Sequence, residues 1–405
     1  MEHVPNYLSR YIPNSITILA LFCGLTSVKF SVNGEWKIAI YLIVLIWIFS
    51  GDYSKKFQKI KNNNLAIASI VFFLLHVVAL IWTENISWGL EIVRKMLPFL
   101  LVLPILLTIT RSDNVKFYIF AFLLAIGISE LLSYLIWFGV IEPFGYAYAG
   151  SPTPIMSHVS YNPFLAFAIY IVVNELISGK KISQYKRAIY TFFILTMTFN
   201  MFITGGRAGQ IMFFVAIILL AFQYFKKSQI KAIYTSVGLI ALISITSYNF
   251  SPVFHERIQM AYHEIVNYDA NSDLDTSIGL RVNFLLNSWE IFNSSPLIGV
   301  GTGDFPDEYK VINAVNTPNA TETSQPHNMY MLILTQLGLI GLISFLWMFY
   351  LQFKIALASD NHSIRNIGIA IPLLFLTIMW SDSYLLGHYT SNLFILFSSF
   401  IYSNR

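Results

Sequence analysis

The sequence predicts an all-α, polytopic integral membrane protein with about twelve transmembrane helices and one large outer loop. Three observations predict it. Hydrophobic residues make up 56% of the chain and charged residues only 11%, a balance typical of membrane proteins. Apolar runs recur at the roughly 20-residue length needed to cross a bilayer core. Basic residues also gather on alternate connecting segments.

In chain order, helices are expected near 15–32, 36–50, 65–82, 96–110, 115–139, 160–178, 188–204, 208–225, 230–250, 329–353, 365–381 and 386–402, each read from an apolar stretch, the second being short. The polar start (Glu2, His3, Asn6, Arg10) runs into the first helix without a small-residue cleavage site, so that helix is expected to remain as a signal anchor. If both termini lie on one side, seventeen of the 25 lysines and arginines fall there and eight on the other. The basic side is then cytoplasmic, and the segment from Ser251 to Gln325 faces outward, into the periplasm of a bacterium. The net charge of +4 follows from this topology and gives no reason to invoke nucleic acid. Cys23 is alone and lies in the first helix, so no internal disulfide staples the loop and no Cys-based metal site is expected. With no low-complexity segment, linker or transporter-like internal repeat, residues 1–405 read as one integral membrane domain containing a periplasmic loop at 251–328.

That loop has its own pattern. Phe254, Ile258, Ala261 and Ile265 fall at helical spacing, as do Leu285, Trp289 and Phe292 within 278–292. The spacing predicts two amphipathic helices lying over the membrane surface. Pro296 closes the second, and Gly299 to Phe305 is expected to form a flexible turn. Its glycines superficially suggest a phosphate loop, but no strand-loop-helix unit surrounds them and they face the wrong side for nucleotides. Asp273 and Asp275 have the spacing of a metal-holding carboxylate pair, yet the polar run Asn271 to Ser277 reads as a solvated loop. Glu130 lies inside the fifth helix, where a carboxylate is costly and is protonated, paired or set in a polar cavity, as in transport relays.

His327 stands directly before a spanning helix, at the positive end of its macrodipole, where a neutral imidazole competent as a base is favoured. The bland alternative is a hydrogen-bonded histidine at a membrane interface. Asn328 follows it, while Asp382 and His388 flank the turn between the last two helices, from which either could orient His327. In a predominantly acidic loop Arg281 stands out, and Arg207 sits in the short outer turn from Thr204 to Gly209. Each is either a snorkelling surface arginine or a phosphate ligand, since guanidinium grips phosphate through two parallel bonds. Gly205 and Gly206 are expected to let a headgroup approach the backbone.

Two segments carry a resemblance. Arg281, Trp289, Ser295-Pro296-Leu297-Ile298-Gly299-Val300-Gly301 and Asp304-Phe305 form the first, and His327-Asn328 through Gly341 the second. With the turn from Thr204 to Gly209 they resemble the O-antigen ligase and polymerase superfamily, nearest to the ligase. The resemblance implies a membrane glycosyltransferase of the bacterial inner membrane, with its active site facing the periplasm and no cofactor or metal. It implies transfer of O-antigen glycan from undecaprenyl diphosphate to a sugar hydroxyl of the lipid A core oligosaccharide, with inversion. His327 falls on the family's catalytic histidine, and Arg207 and Arg281 on its diphosphate-binding arginines. O-antigen polymerase, which joins lipid-linked repeat units, remains open beside it, as do a protein O-oligosaccharyltransferase and a lipid-linked glycan transporter. The short segment from Ile141 to Val159 favours ligase over polymerase, which often carries a second large outer loop.

Overall fold

The computed structural model describes residues 44–45, 47–148, 150–178, 182–266, 276–386 and 388–403. The first predicted helix with Cys23, most of the second, and Asp273 and Asp275 lie outside them. Among the described residues there is no β-strand, only an isolated bridge between Tyr148 and Ser151. The helices are α1 (Tyr53–Lys61), α2 (Asn64–Val78, with a 3-10 turn to Trp82), α3 (Ile86–Leu100), α4 (Val102–Ile109), α5 (Val115–Trp137), α6 (His158–Ile177), α7 (Gln184–Ile203) and α8 (Arg207–Tyr224). They continue as α9 (Gln229–Phe250), α10 (Pro252–Val266), α11 (Ser277–Ser294), α12 (Phe305–Asn316), α13 (Met329–Leu357), α14 (His362–Ile378) and α15 (His388–Tyr402).

Local chemistry explains where many of them begin. Asn63, Asn85, Ser183, Ser228, Thr276, Asn328 and Asn361 each precede a helix and accept a backbone N–H from its first turn, which satisfies donors a helix start leaves unpaired. Seven segments among the described residues are long and apolar enough to cross a membrane: Asn64–Trp82, Ile86–Ile109, α5, α6, α8, α9 and α13. This is a multi-pass membrane protein; of the twelve expected crossings the first and most of the second lie outside the described residues, and three of the others fall short of that length and apolarity. Helix α14 has 17 residues and α15 has 15, while α7 carries Lys186 and Arg187 in its first turn.

Four expectations need correction. The fourth helix starts at Ile86 rather than near 96, because Glu91, Arg94 and Lys95 form pairs along its surface at 2.6 Å and 3.6 Å, one turn apart. Helix α12 was not expected, although Pro306 and the acidic first turn of Asp307 and Glu308 are ordinary start signals. The glycine turn is clamped rather than flexible. Thr302 Oγ1 donates to His76 O (2.7 Å), and the Asp304 carboxylate accepts the Glu84 and Asn85 amides at 3.1 and 2.8 Å. The turn thereby fastens the long loop to the junction between α2 and α3.

The tenth predicted span is not one continuous helix. Gly338 has φ +62° and breaks α13 into two halves, and residues 296–301 fill the break. Val300 and Gly301 amides donate to Thr335 O and Gln336 O, while Leu339 and Ile340 amides donate to Pro296 O and Leu297 O. Backbone groups freed by the break are thus re-paired with the loop, as burial requires. A Cβ on Gly338 would meet Leu297 backbone carbon at 2.3 Å. Gly338→Ala is therefore expected to destabilise the fold by at least about 2 kcal/mol, read as a lower melting temperature in detergent than for Gly238→Ala. Gly238 lies within α9, and a Cβ there would meet nothing within 4 Å.

The interior is aromatic. Phe72 meets Phe345 at 5.6 Å, Phe122 meets Phe397 at 4.9 Å and Phe349 meets Phe394 at 5.4 Å, joining α2, α5, α13 and α15. One end of this bundle collects residues 79–86, 138–148, 150–157, 204–206, 251–266, 276–328 and 379–386. Every predicted site residue lies at that end.

Candidate active site

His327 sits two residues before α13 with φ 48°, one of two non-glycine residues at positive φ among those described. Asn328 explains the abrupt turn that follows, since its side-chain oxygen accepts the Tyr330 and Met331 amides at 3.0 and 3.1 Å. Asn328 is thus the helix cap that sets the histidine's position. The Met329 amide donates to Met379 O at 2.9 Å, which lays the histidine beside the loop after α14. There its Nδ1 bonds Asp382 Oδ1 at 3.2 Å. With Asp382 on Nδ1–H, Nε2 is the ring's acceptor. Asp382 is itself held, because Oδ1 also accepts the Ser383 amide at 2.7 Å. The His327 ring stacks on Phe284 of α11 with centroids 5.7 Å apart and planes inclined by 26°. Its side chain is 39% exposed, so substrate can reach it. His388 begins α15, and its side chain lies outside the described residues.

The arginines converge. Arg207 opens α8 and Arg281 lies in the second turn of α11, yet both donate to one hydroxyl, Ser277 Oγ, at 3.3 and 2.9 Å. Arg281 also donates to Ser277 O at 3.2 Å. Arg257 on α10 completes the group, since it acts electrostatically on Arg207 and approaches Gly205. Among the described residues none of the three forms a salt bridge within 4 Å. Glu264, the carboxylate in their field, accepts the Ile278 amide. Among the described residues the Arg257 and Arg281 guanidiniums outweigh the single carboxylate, Glu264, that acts on Arg207, and the N-termini of α8 and α11 add positive potential. Such a cluster suits an anion carrying more than one charge.

Burial foremost, and then the Asp382 charge, push the Tyr384 hydroxyl well above the usual tyrosine range, while Arg281 pulls the other way. Asp382 and Arg281 thus act electrostatically on one hydroxyl.

The expectation that Gly205 and Gly206 admit a ligand headgroup is corrected at Gly206. A Cβ there would meet His158 O at 2.4 Å and Asn162 Nδ2 at 2.6 Å, so the missing side chain makes room for α6. Asn162 donates to Met201 O and Gly206 O and accepts from Thr204 Oγ1 at 2.6 Å, which bolts the turn carrying Arg207 to α6. Glu130 is buried in α5 beside Thr196 of α7, with Oε1 unpartnered among the described residues, and is not among the residues gathered around His327. Among the described residues no three of His, Cys, Asp or Glu are grouped as metal ligands would be. Sequence reasoning passed over Ser277, Phe284 and Tyr384. The signal for the first two was available: they lie four residues before and three after Arg281, on one face of an amphipathic helix.

The O-antigen ligase family model matches residues 192–346. The match runs from α7 into α13 and takes in Arg207, Ser277, Arg281 and His327, while Asp382 lies beyond it. A Haemophilus influenzae protein described as uncharacterized is 24% identical over 291 residues, 70% of each chain. The match covers less than half of the chain; together with the apolar helices it supports a multi-pass membrane protein with a glycosyltransferase-type activity, and it agrees with the resemblance read from the motifs to the O-antigen ligase and polymerase superfamily.

Proposed function

We propose that the protein transfers O-antigen glycan from undecaprenyl diphosphate to a sugar hydroxyl of the lipid A core oligosaccharide, at the periplasmic face of the bacterial inner membrane. The observation that carries this reading is the meeting of Arg207 and Arg281 on Ser277 Oγ, with Arg281 and Asp382 both acting on Tyr384. A dianion bound by the arginines would lie beside a histidine already oriented as a base. His327 Nε2 takes the acceptor hydroxyl proton, and that oxygen attacks the anomeric carbon from the face opposite the diphosphate. The bond to the diphosphate breaks, inverting the centre. The leaving group gains negative charge as it departs, so fixed guanidiniums stabilise the transition state more than the bound donor. Asp382 stabilises the imidazolium that forms.

The segment between α5 and α6 favours ligase over polymerase. Residues 151–156 are buried against the bundle rather than extended as a second large loop. In a strain deleted for the gene, lipopolysaccharide on a gel should lose all capped material while lipid-linked polymer accumulates. A ladder collapsed to one repeat unit on core would instead identify a polymerase, and an unchanged pattern would overturn both.

A further inference from the structure

At the bundle end opposite His327, three basic side chains meet without a carboxylate. Lys226, just past the end of α8, and Arg365, in the first turn of α14, both donate to His362 Nε2, Arg365 at 3.3 Å. One imidazole lone pair cannot offset two cations. Among the described residues neither cation forms a salt bridge within 4 Å. Lys226 and His362 are exposed and Arg365 is partly so, so a ligand can reach all three. We propose that this cluster binds the phosphate of an anionic phospholipid, with an acyl chain lying along α8 and α14.

A buried polar frame holds the two backbones together. The Tyr170 hydroxyl of α6 lies 2.8 Å from both Gln223 Oε1 of α8 and Asn366 O of α14. Asn366 Nδ2 donates to Asn174 Oδ1 at 2.9 Å, and Asn174 Nδ2 to Ser363 Oγ at 3.2 Å. The cations are therefore presented side by side although they repel. The helix start is not itself the site, since Asn361 Oδ1 already accepts the Ser363 and Ile364 amides at 3.2 and 3.3 Å. What surrounds the cluster favours a lipid over a free ion. Phe222 and Ile218, four and eight residues before Lys226, share one face of α8 and are 41% and 40% exposed. Ile369 and Leu373, four and eight residues after Arg365, are partly exposed on α14, which packs against α8. Apolar tracks thus run from the cations into the membrane, as a headgroup with its chain requires. A choline or ethanolamine headgroup would bring a further positive charge to the cluster, which selects an anionic lipid.

The test titrates purified full-length protein in detergent with phosphatidylglycerol or phosphatidylcholine and reads each bound lipid by native mass spectrometry. The wild type should bind its first phosphatidylglycerol more tightly than phosphatidylcholine. Lys226→Gln and Arg365→Gln should each weaken that binding about fivefold, the contribution of one cation at an anionic headgroup, and leave phosphatidylcholine unaffected. Lys227→Gln, which removes the adjacent exposed cation, should have little effect. Equal losses in all three variants would mean that general surface charge attracts the lipid, and would overturn the proposal. So would equal binding of the two lipids by the wild type. Melting of the wild type gives a reading that needs no variant: phosphatidylglycerol should raise the melting temperature more than phosphatidylcholine or inorganic phosphate. An equal rise with inorganic phosphate would identify a site for a free anion and overturn the lipid assignment.

Discussion

Replacing His327 by alanine is expected to lower glycan transfer by about a hundredfold to ten-thousandfold, the range that general-base assistance typically supplies. Donor binding should survive, since the arginines lie on α8 and α11 and not on the histidine's segment. The backbone complicates the experiment. At φ 48° an alanine is strained by about 1–2 kcal/mol, so lost activity in His327→Ala could report a displaced loop. Asparagine tolerates this conformation far better and can still donate a hydrogen bond to Asp382, but has no basic ring nitrogen. His327→Asn should therefore keep wild-type melting behaviour and be as inactive as His327→Ala in single-turnover assays with both lipid substrates. More than about a tenth of wild-type turnover in the asparagine variant would be too mild for loss of the base. The ring would then revert to positioning the loop at the membrane edge.

The helical pattern was legible because a membrane-spanning helix announces itself through composition, and the described segments from α2 to α15 follow the expected order. What composition missed is instructive. Glu91, Arg94 and Lys95 read as loop charges because the sequence does not show that they pair along one helix face. The break at Gly338 was equally hidden, since an apolar stretch containing glycine reads as one helix until residues 296–301 are seen to bond into it. That contact also gives a physical reason for both resemblance segments: each supplies half of one backbone junction. At the site, His327 could be singled out from its place before a helix, but its partner could be narrowed only to Asp382 or His388, because 55 residues separate Asp382 from it and distance in the fold decides between them. Arg207 and Arg281 were visible as isolated cations, whereas their shared serine depends on how α8 meets α11.

Arg207→Lys and Arg281→Lys are each expected to lower transfer by about tenfold to a hundredfold, the loss of one charge-assisted hydrogen bond of about 1.5–3 kcal/mol. Lysine keeps the charge but presents a point ammonium in place of the planar fork that grips two phosphate oxygens. The loss should appear in kcat as much as in KM for the donor, because charge builds on the diphosphate as the anomeric bond breaks, while KM for the acceptor stays put. The two effects should not add independently, since both guanidiniums bond Ser277 Oγ and act on one anion; removing the first contact leaves the second less well placed. Ser277→Ala offers a contrast. It removes the hydroxyl that spaces the arginines but neither fork, so it should cost less than either lysine variant, and tighter contact with the diphosphate can replace the missing bond. Near-normal transfer by both lysine variants at normal protein levels would show that these are ordinary interface arginines. The positive cluster with Arg257 would then need a different anion, and the single-turnover rate with alternative lipid phosphates is the measurement that would find it.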